Sequence, residues 1–156
     1  MTEALRENIK LIVFQLKDKE YAIPVNQVAS IEKVDHITRV PGVTDYVKGV
    51  INLRGVVTPI IDLRLRFAIE EQAYNDSTRV IIVALNGMEV GLIVDTANDV
   101  IDICPDSIEP QPEVVGVVGA DYISGVVKVE HRLLILLDLE KVLNPNEVKI
   151  PIGNEG

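Results

Sequence analysis

Tyr46-Val47-Lys48-Gly49-Val50-Ile51-Asn52-Leu53-Arg54-Gly55, continuing through Val56-Val57-Thr58-Pro59-Ile60-Ile61-Asp62-Leu63, decides the fold, because the chain carries it twice. Tyr122-Ile123-Ser124-Gly125-Val126-Val127-Lys128-Val129, running on to Leu136-Leu137-Asp138-Leu139, follows it at a constant offset of 76. Tyr, Gly, Val, Asp and Leu return at equivalent places. A position the fold needs should survive in both copies, whereas one recruited for a partner can differ. Arg54 differs, since Glu130 stands in its place.

The repeat extends upstream at an offset of 69, where Leu16, Glu20 and Val25 match Leu85, Glu89 and Val94. The offset grows because the middle connection is longer in the second copy, punctuated by Pro105, Pro110 and Pro112. Two repeats predict two small subdomains: residues 11–67, and residues 79–143 with a terminal helix. The ends, 1–10 and 144–156, read as flexible, and 68–78 as a polar, acidic connector.

Local signals in both copies are those of strands. Leu11 to Leu16 is apolar, and Lys17-Asp18-Lys19-Glu20 turns the chain into Tyr21-Ala22-Ile23; Val80 to Leu85, Asn86-Gly87 and Glu89 to Val94 repeat the pattern. Asn-Gly between apolar runs is a strong hairpin signal. Val25, Val28 and Ile31 recur every three residues, which suits a helical face, a short twisted strand or a bent connection. Gly49 to Leu53 and Val56 to Leu63 form another apolar pair with Arg54 at the wet tip. Pro59 cannot donate to a sheet and marks an edge, a bulge or a strand start. Asp138 to Leu143 reads as a short helix stopped by Asn144-Pro145. About five short strands per copy predict a mostly β protein of two similar five-stranded barrels packed together, because a closed barrel keeps a small unit free of sheet edges.

Composition narrows the function. The 156 residues are 47% hydrophobic and 4% aromatic without Trp, so Val, Ile and Leu build the core. A net charge of −9 opposes phosphate backbones and anionic lipid. No apolar run approaches the roughly 20 residues of a membrane span, no export signal opens the chain, and the lone Cys104 forms no internal disulfide, which together read as cytoplasmic. His36 and His131 belong to no metal-spaced cluster, and Gly116-Val117-Val118-Gly119 lacks the features of a dinucleotide loop. Gly49 and Gly125 read as backbone necessities, and Asp62 and Asp138 as caps of a turn or helix start.

Taken in order, Ile12-Val13-Phe14, Glu20-Tyr21-Ala22-Ile23-Pro24-Val25, Val28 with Ile31, Gly49 to Gly55, Thr58 to Arg64 and Asp95 to Val100 resemble the CheW family, the coupling proteins of bacterial chemotaxis. The resemblance runs from about Leu11 to Leu143. It implies two intertwined five-stranded barrels of SH3-like type, with no catalytic activity and no cofactor or metal. It implies a scaffold joining the cytoplasmic tips of chemoreceptors to the regulatory domain of the histidine kinase CheA, a monomer when isolated and part of receptor arrays in the cell. Arg54, with Asn52 and Gly49, matches the receptor-coupling site, and Ile12, Val25, Val28 and Ile31 match an apolar kinase-facing surface. From the residues alone, Arg54 reads equally as a solvated turn residue, and the valines as core. An adaptor for another receptor pathway, such as surface motility, fits the same residues. A nucleic-acid-binding barrel would need basic grooves and exposed aromatics, and a hydrolase would need turnover sensitive to His36→Ala or His131→Ala.

Overall fold

The structure is a computed structural model that describes residues 8–110 and 122–143. The expectations placed on residues 1–7, Pro112, the 116–119 glycine stretch and the 144–156 tail lie outside the described residues.

The first copy supplies β1 (Ile9–Leu16), β2 (Lys19–Pro24), β3 (Val28–Lys33), β4 (Val47–Leu53), β5 (Val56–Asp62) and a one-turn helix α1 (Leu63–Arg66). The second supplies β6 (Arg79–Leu85), β7 (Met88–Val94), β8 (Thr96–Ile103), β9 (Ile108–Glu109), β10 (Ile123–Val129), β11 (Arg132–Leu137) and α2 (Leu139–Val142). Mostly β structure is as the sequence predicts. β1 starts at Ile9, so Ile9 and Lys10 belong to a sheet. The helix α1 follows Asp62, where the sequence predicts the cap of a turn or helix start, although four residues are too few to show a helical period. Val25 to Gln27 form one 3₁₀ turn that leads directly into β3, so of the readings open at Val25, Val28 and Ile31 the bent connection holds and the helical face does not.

One sheet runs β8-β1-β2-β11-β10-β9 and the other β3-β6-β7-β5-β4. The first hairpin of each copy thus sits in the sheet built mainly by the other copy. The divisions 11–67 and 79–143 mark repeats of sequence, and sheet membership cuts across them. An offset reveals which segments share local structure but not which copy each strand pairs with. The hairpins β1–β2 and β6–β7 each dock by a parallel ladder: Ala22 faces Leu136, and Gly91 faces Ile60.

The duplication holds to the residue. Ile12 pairs with Val100 as Ile81 pairs with Ile31. A β-bulge interrupts β4 between Val47 and Gly49, and β10 between Ile123 and Gly125. Just past each bulge the glycine lets another strand approach. At Gly49, φ is +142°, and a Cβ would lie 2.0 Å from the Thr38 carbonyl oxygen. At Gly125 a Cβ would meet the Glu109 carbonyl oxygen at 2.9 Å. Glu109 pairs with Val126 and Thr38 bridges Val50, so the two-residue β9 is the fuller form of a single bridge in the first copy.

Each sheet closes on itself. Val34 and Ile37, which follow β3 at one margin, pack with Ile51 and Leu53 of β4 at the other over Ile60, Val80, Ile82 and Ile93. In the other sheet Ile103 of β8 joins Leu11, Val13, Val127, Leu134 and Leu136, with Ile108 of β9 packed against them. The largest cluster lies between the barrels and takes the opposite faces of the same strands: Ile12, Phe14 and Leu16 from β1, and Ile81 and Val83 from β6. Both faces of β1 and β6 are therefore buried. That is why Leu11 to Phe14 and Val80 to Val83 read as unbroken apolar runs rather than as alternation.

Candidate functional site

The first-copy tip, between β4 and β5, is a two-residue turn in which Arg54 and Gly55 both take positive φ, +52° and +85°. The Gly55 N–H donates to Asn52 Oδ1 at 2.9 Å, so the Asn52 side chain is committed to the turn. Lys17, Asn86 and Glu130 take the same left-handed backbone at the other three hairpin tips. The conformation therefore belongs to hairpin geometry, and only the side chain at Arg54 distinguishes this tip.

The Arg54 side chain is 65% exposed. Among the described residues its side-chain partner is Glu32 at the far margin of the same sheet, Nη1 to Oε2 3.4 Å. A long, solvated pair of this kind is worth at most about 1 kcal/mol, so the guanidinium can change partners readily. Next to it Val56 and Val57 are 56% and 60% exposed. The second copy treats the same places differently. Arg132 stands where Val56 does, donating through Nε and Nη2 to both Glu20 carboxylate oxygens at 3.0 Å and lying 2.9 Å from Asp99. Those bonds to Glu20, then to Asp99, push the Arg132 pKa up. One tip thus offers a loosely held cation beside bare valines, and the other a neutralised ion network. No sequence signal singles out Val56 and Val57; setting them beside Arg132 and Leu133 shows only half of the contrast.

Gly49 is buried beneath the Thr38 backbone, which leaves it a structural part in shaping the β4 margin rather than a contact. Of the four apolar candidates, Ile31 is 37% exposed, while Ile12 is 7% exposed and belongs to the shared core. Ile12 can act on a docking surface only through what it supports, because its side chain lies on the inter-barrel face of β1. Val25 and Val28 are half-buried against the same core. An exposed apolar residue that the sequence pattern does not mark is Val100, the second-copy equivalent of Ile31. Asp62 caps α1 by accepting from the Arg64 N–H, and Asp138 caps α2 by accepting from the Glu140 and Lys141 N–H groups.

A polar hub lies at the other end of β5 from the tip. Arg64 donates through Nε and Nη2 to both oxygens of Asp95, at 2.8 and 2.6 Å, and holds the connector through the Glu70 carbonyl at 2.8 Å and Gln72 Oε1 at 2.7 Å. Asp95 also accepts from the Lys17 N–H at the β1–β2 tip. Burial alone would raise the Asp95 carboxyl; the Arg64 and Lys17 hydrogen bonds, with the Arg64 charge, outweigh it and hold the pKa below its ordinary value. Asp62 goes the other way: burial raises it despite the bond from the Tyr74 hydroxyl. Neither Arg64 nor Asp95 has a like partner in the other copy, where Glu140 and Asn26 stand.

Among the described residues no group of three or more His, Cys, Asp or Glu is placed to hold a metal ion, and no helix is long and apolar enough to cross a membrane. His36, His131 and Cys104 are exposed.

The duplicated barrels, their exchanged hairpins and the asymmetric tip coincide with a match of residues 10–147 to the CheW-like domain. The chain belongs to the CheW family. It is 51% identical over 144 residues to the chemotaxis protein CheW of Bacillus subtilis, covering 92% of each chain. It is 37% identical over 141 residues to the chemotaxis protein CheW of Klebsiella aerogenes, covering 90% of this chain and 85% of that one. Its structure is similar to the crystal structure of scaffolding protein TtCheW from Thermoanaerobacter tengcongensis, with a TM-score of 0.84 at 33% identity, covering 92% of this chain and 99% of that one.

Proposed function

We propose that this protein is a non-catalytic chemotaxis adaptor that holds a chemoreceptor tip and the regulatory domain of the kinase CheA at the same time, within the cytoplasm and at receptor arrays. Family membership supports the adaptor role. The observation that carries the choice of site is the contrast between the tips, with Arg54 loosely paired beside exposed Val56 and Val57 where the second copy has Arg132 locked to Glu20. A guanidinium beside an apolar strip suits a receptor helix that presents a carboxylate next to its apolar face, since Arg can hold the carboxylate through two parallel bonds. The kinase surface is assigned to β3, through Ile31 with Val25 and Val28, supported from below by Ile12. Simultaneous binding lets the receptor bias the kinase as a coupling between sites, with no bond made or broken.

The test is reconstitution of receptor cytoplasmic fragment, CheA and this protein, reading kinase autophosphorylation. Arg54→Glu should remove receptor control by at least about tenfold, the loss of one charge-assisted contact of roughly 1.5 kcal/mol, while the purified protein keeps its fold. Normal control in that variant would rule out the Arg54 site.

A further inference from the structure

Arg66 of α1 stands where the two copies meet. At the offset of 76 it corresponds to Val142 of α2, and its Nε donates to the Val142 carbonyl oxygen at 2.8 Å. A residue in contact with its own counterpart lies beside the axis that relates the copies. The aromatic rings agree, since Tyr46 and Tyr122, also counterparts, have their ring centroids 4.8 and 4.7 Å from the Arg66 Cζ. Tyr46 comes just before β4 and Tyr122 just before β10. Each closes the root of its hairpin through its carbonyl, which accepts from the Asp62 N–H at 2.8 Å in one copy and from the Asp138 N–H at 2.9 Å in the other. One guanidinium therefore meets the roots of both tip-bearing hairpins.

Two equal side chains cannot both fill one axis, so the copies must differ here. Arg66 is only 8% exposed, and the surroundings are apolar: Phe67, Leu139, Val142 and Leu143 belong to the cluster between the barrels, and both tyrosines pack against it. A cation over aromatic faces is held more strongly where water is excluded, and an arginine at the end of a helix can satisfy its last carbonyls. Arg64 on the same helix reaches the second barrel as well. Its partner Asp95 joins β7 of one barrel to β8 of the other and accepts from the Lys17 N–H at the tip of the exchanged β1–β2 hairpin. The helix α1 thus holds the second barrel at two points.

We propose that Arg66 is a positioning residue of the adaptor, fixing the orientation of the second barrel against the first. A partner seated at the Arg54 tip or on β3 then acts on a rigid pair of barrels. Displacement of the tip reaches Tyr46 along β4 and crosses to Tyr122 and α2 through the guanidinium. The signalling half of this inference rests on the adaptor function proposed above, and the orientation half does not.

Spin labels on Cys104 and on Glu89→Cys, exposed residues of the second and first barrels, read the orientation in the full chain. Arg66→Met should widen the distribution of distances between them. Tyr122→Leu, which removes one ring, should widen it in the same way, and Arg66→Lys should restore it in part because a cation stays over the rings. In the reconstituted system Arg66→Met should bind the receptor fragment and CheA separately within about threefold of wild type, yet lose receptor control of autophosphorylation. Unchanged distributions in folded Arg66→Met and Tyr122→Leu proteins would overturn the proposal, and so would full receptor control by Arg66→Met beside a wild type that couples. With a wild type that couples nothing, the adaptor function fails and the distance distributions alone decide the positioning by Arg66.

Discussion

The β4–β5 and β10–β11 hairpins share a two-residue tip, a bulge at the same place, a buried glycine after it and a left-handed first tip residue, yet they present opposite surfaces. One ends in Arg54 with Val56 and Val57 bare; the other ends in Glu130 with Arg132 clamped between Glu20 and Asp99. What the copies share is what the backbone demands. What they do not share is free to serve a partner, so an internal repeat acts as a control experiment within one molecule.

The comparison can be broken most severely at the hub that only one copy has. Asp95→Asn leaves the Arg64 guanidinium, itself buried, without its counter-charge, and breaking such a pair costs about 3–5 kcal/mol. Because the folded carboxyl titrates below its unfolded value of about 3.9, the stability it contributes is complete above that pH and disappears as pH falls through the folded pKa. Urea midpoints of wild type and Asp95→Asn should therefore lie far apart at pH 7 and converge below about pH 4; a gap constant with pH would exclude Asp95 as the cause.

Next in size is the glycine pair. Gly49→Ala places a Cβ against backbone at 2.0 Å and positive φ, whereas at Gly125 the closest backbone atom is 2.9 Å away. Calorimetry should show Gly49→Ala destabilised by about 3 kcal/mol or more and Gly125→Ala by roughly half of that. Equal losses would mean that the strands adjust alike. The smallest effect sharpens the contrast at the tips. Arg54→Glu should shift stability by less than about 0.5 kcal/mol. Arg132→Ala should cost more, since it leaves Glu20 and Asp99 side by side, and thermal melts of the two variants would rank them.

Much of this architecture is legible in the amino-acid sequence. The duplicated apolar runs give the hairpins, and the retained glycines and aspartates mark a close approach and two caps. The exchange of hairpins is not legible, because β1 and β6 bury both faces, and a two-sided apolar strand carries no mark of which sheet it joins. The periodicity at Val25, Val28 and Ile31 leaves a helical face and a bent connection both open for a different reason. A 3₁₀ turn followed by a bulged strand displaces residues much as a helix does over so short a span, and Ile31 consequently faces outward while Val28 faces the core. The hub escapes a sequence pattern because Arg64 and Asp95 lie 31 positions apart, and the parallel β5–β7 ladder, in which Asp62 faces Ile93, brings them together.

The exchanged hairpins also set an order on synthesis. The barrel made of β3 to β7 has all its strands once residue 94 has left the ribosome, but β1–β2 has no ladder to join until β8 and β11 emerge, the latter ending at Leu137. The hairpin made before every other described strand is thus among the last to find its place, and until then the nascent chain carries an undocked apolar hairpin that a chaperone could shield.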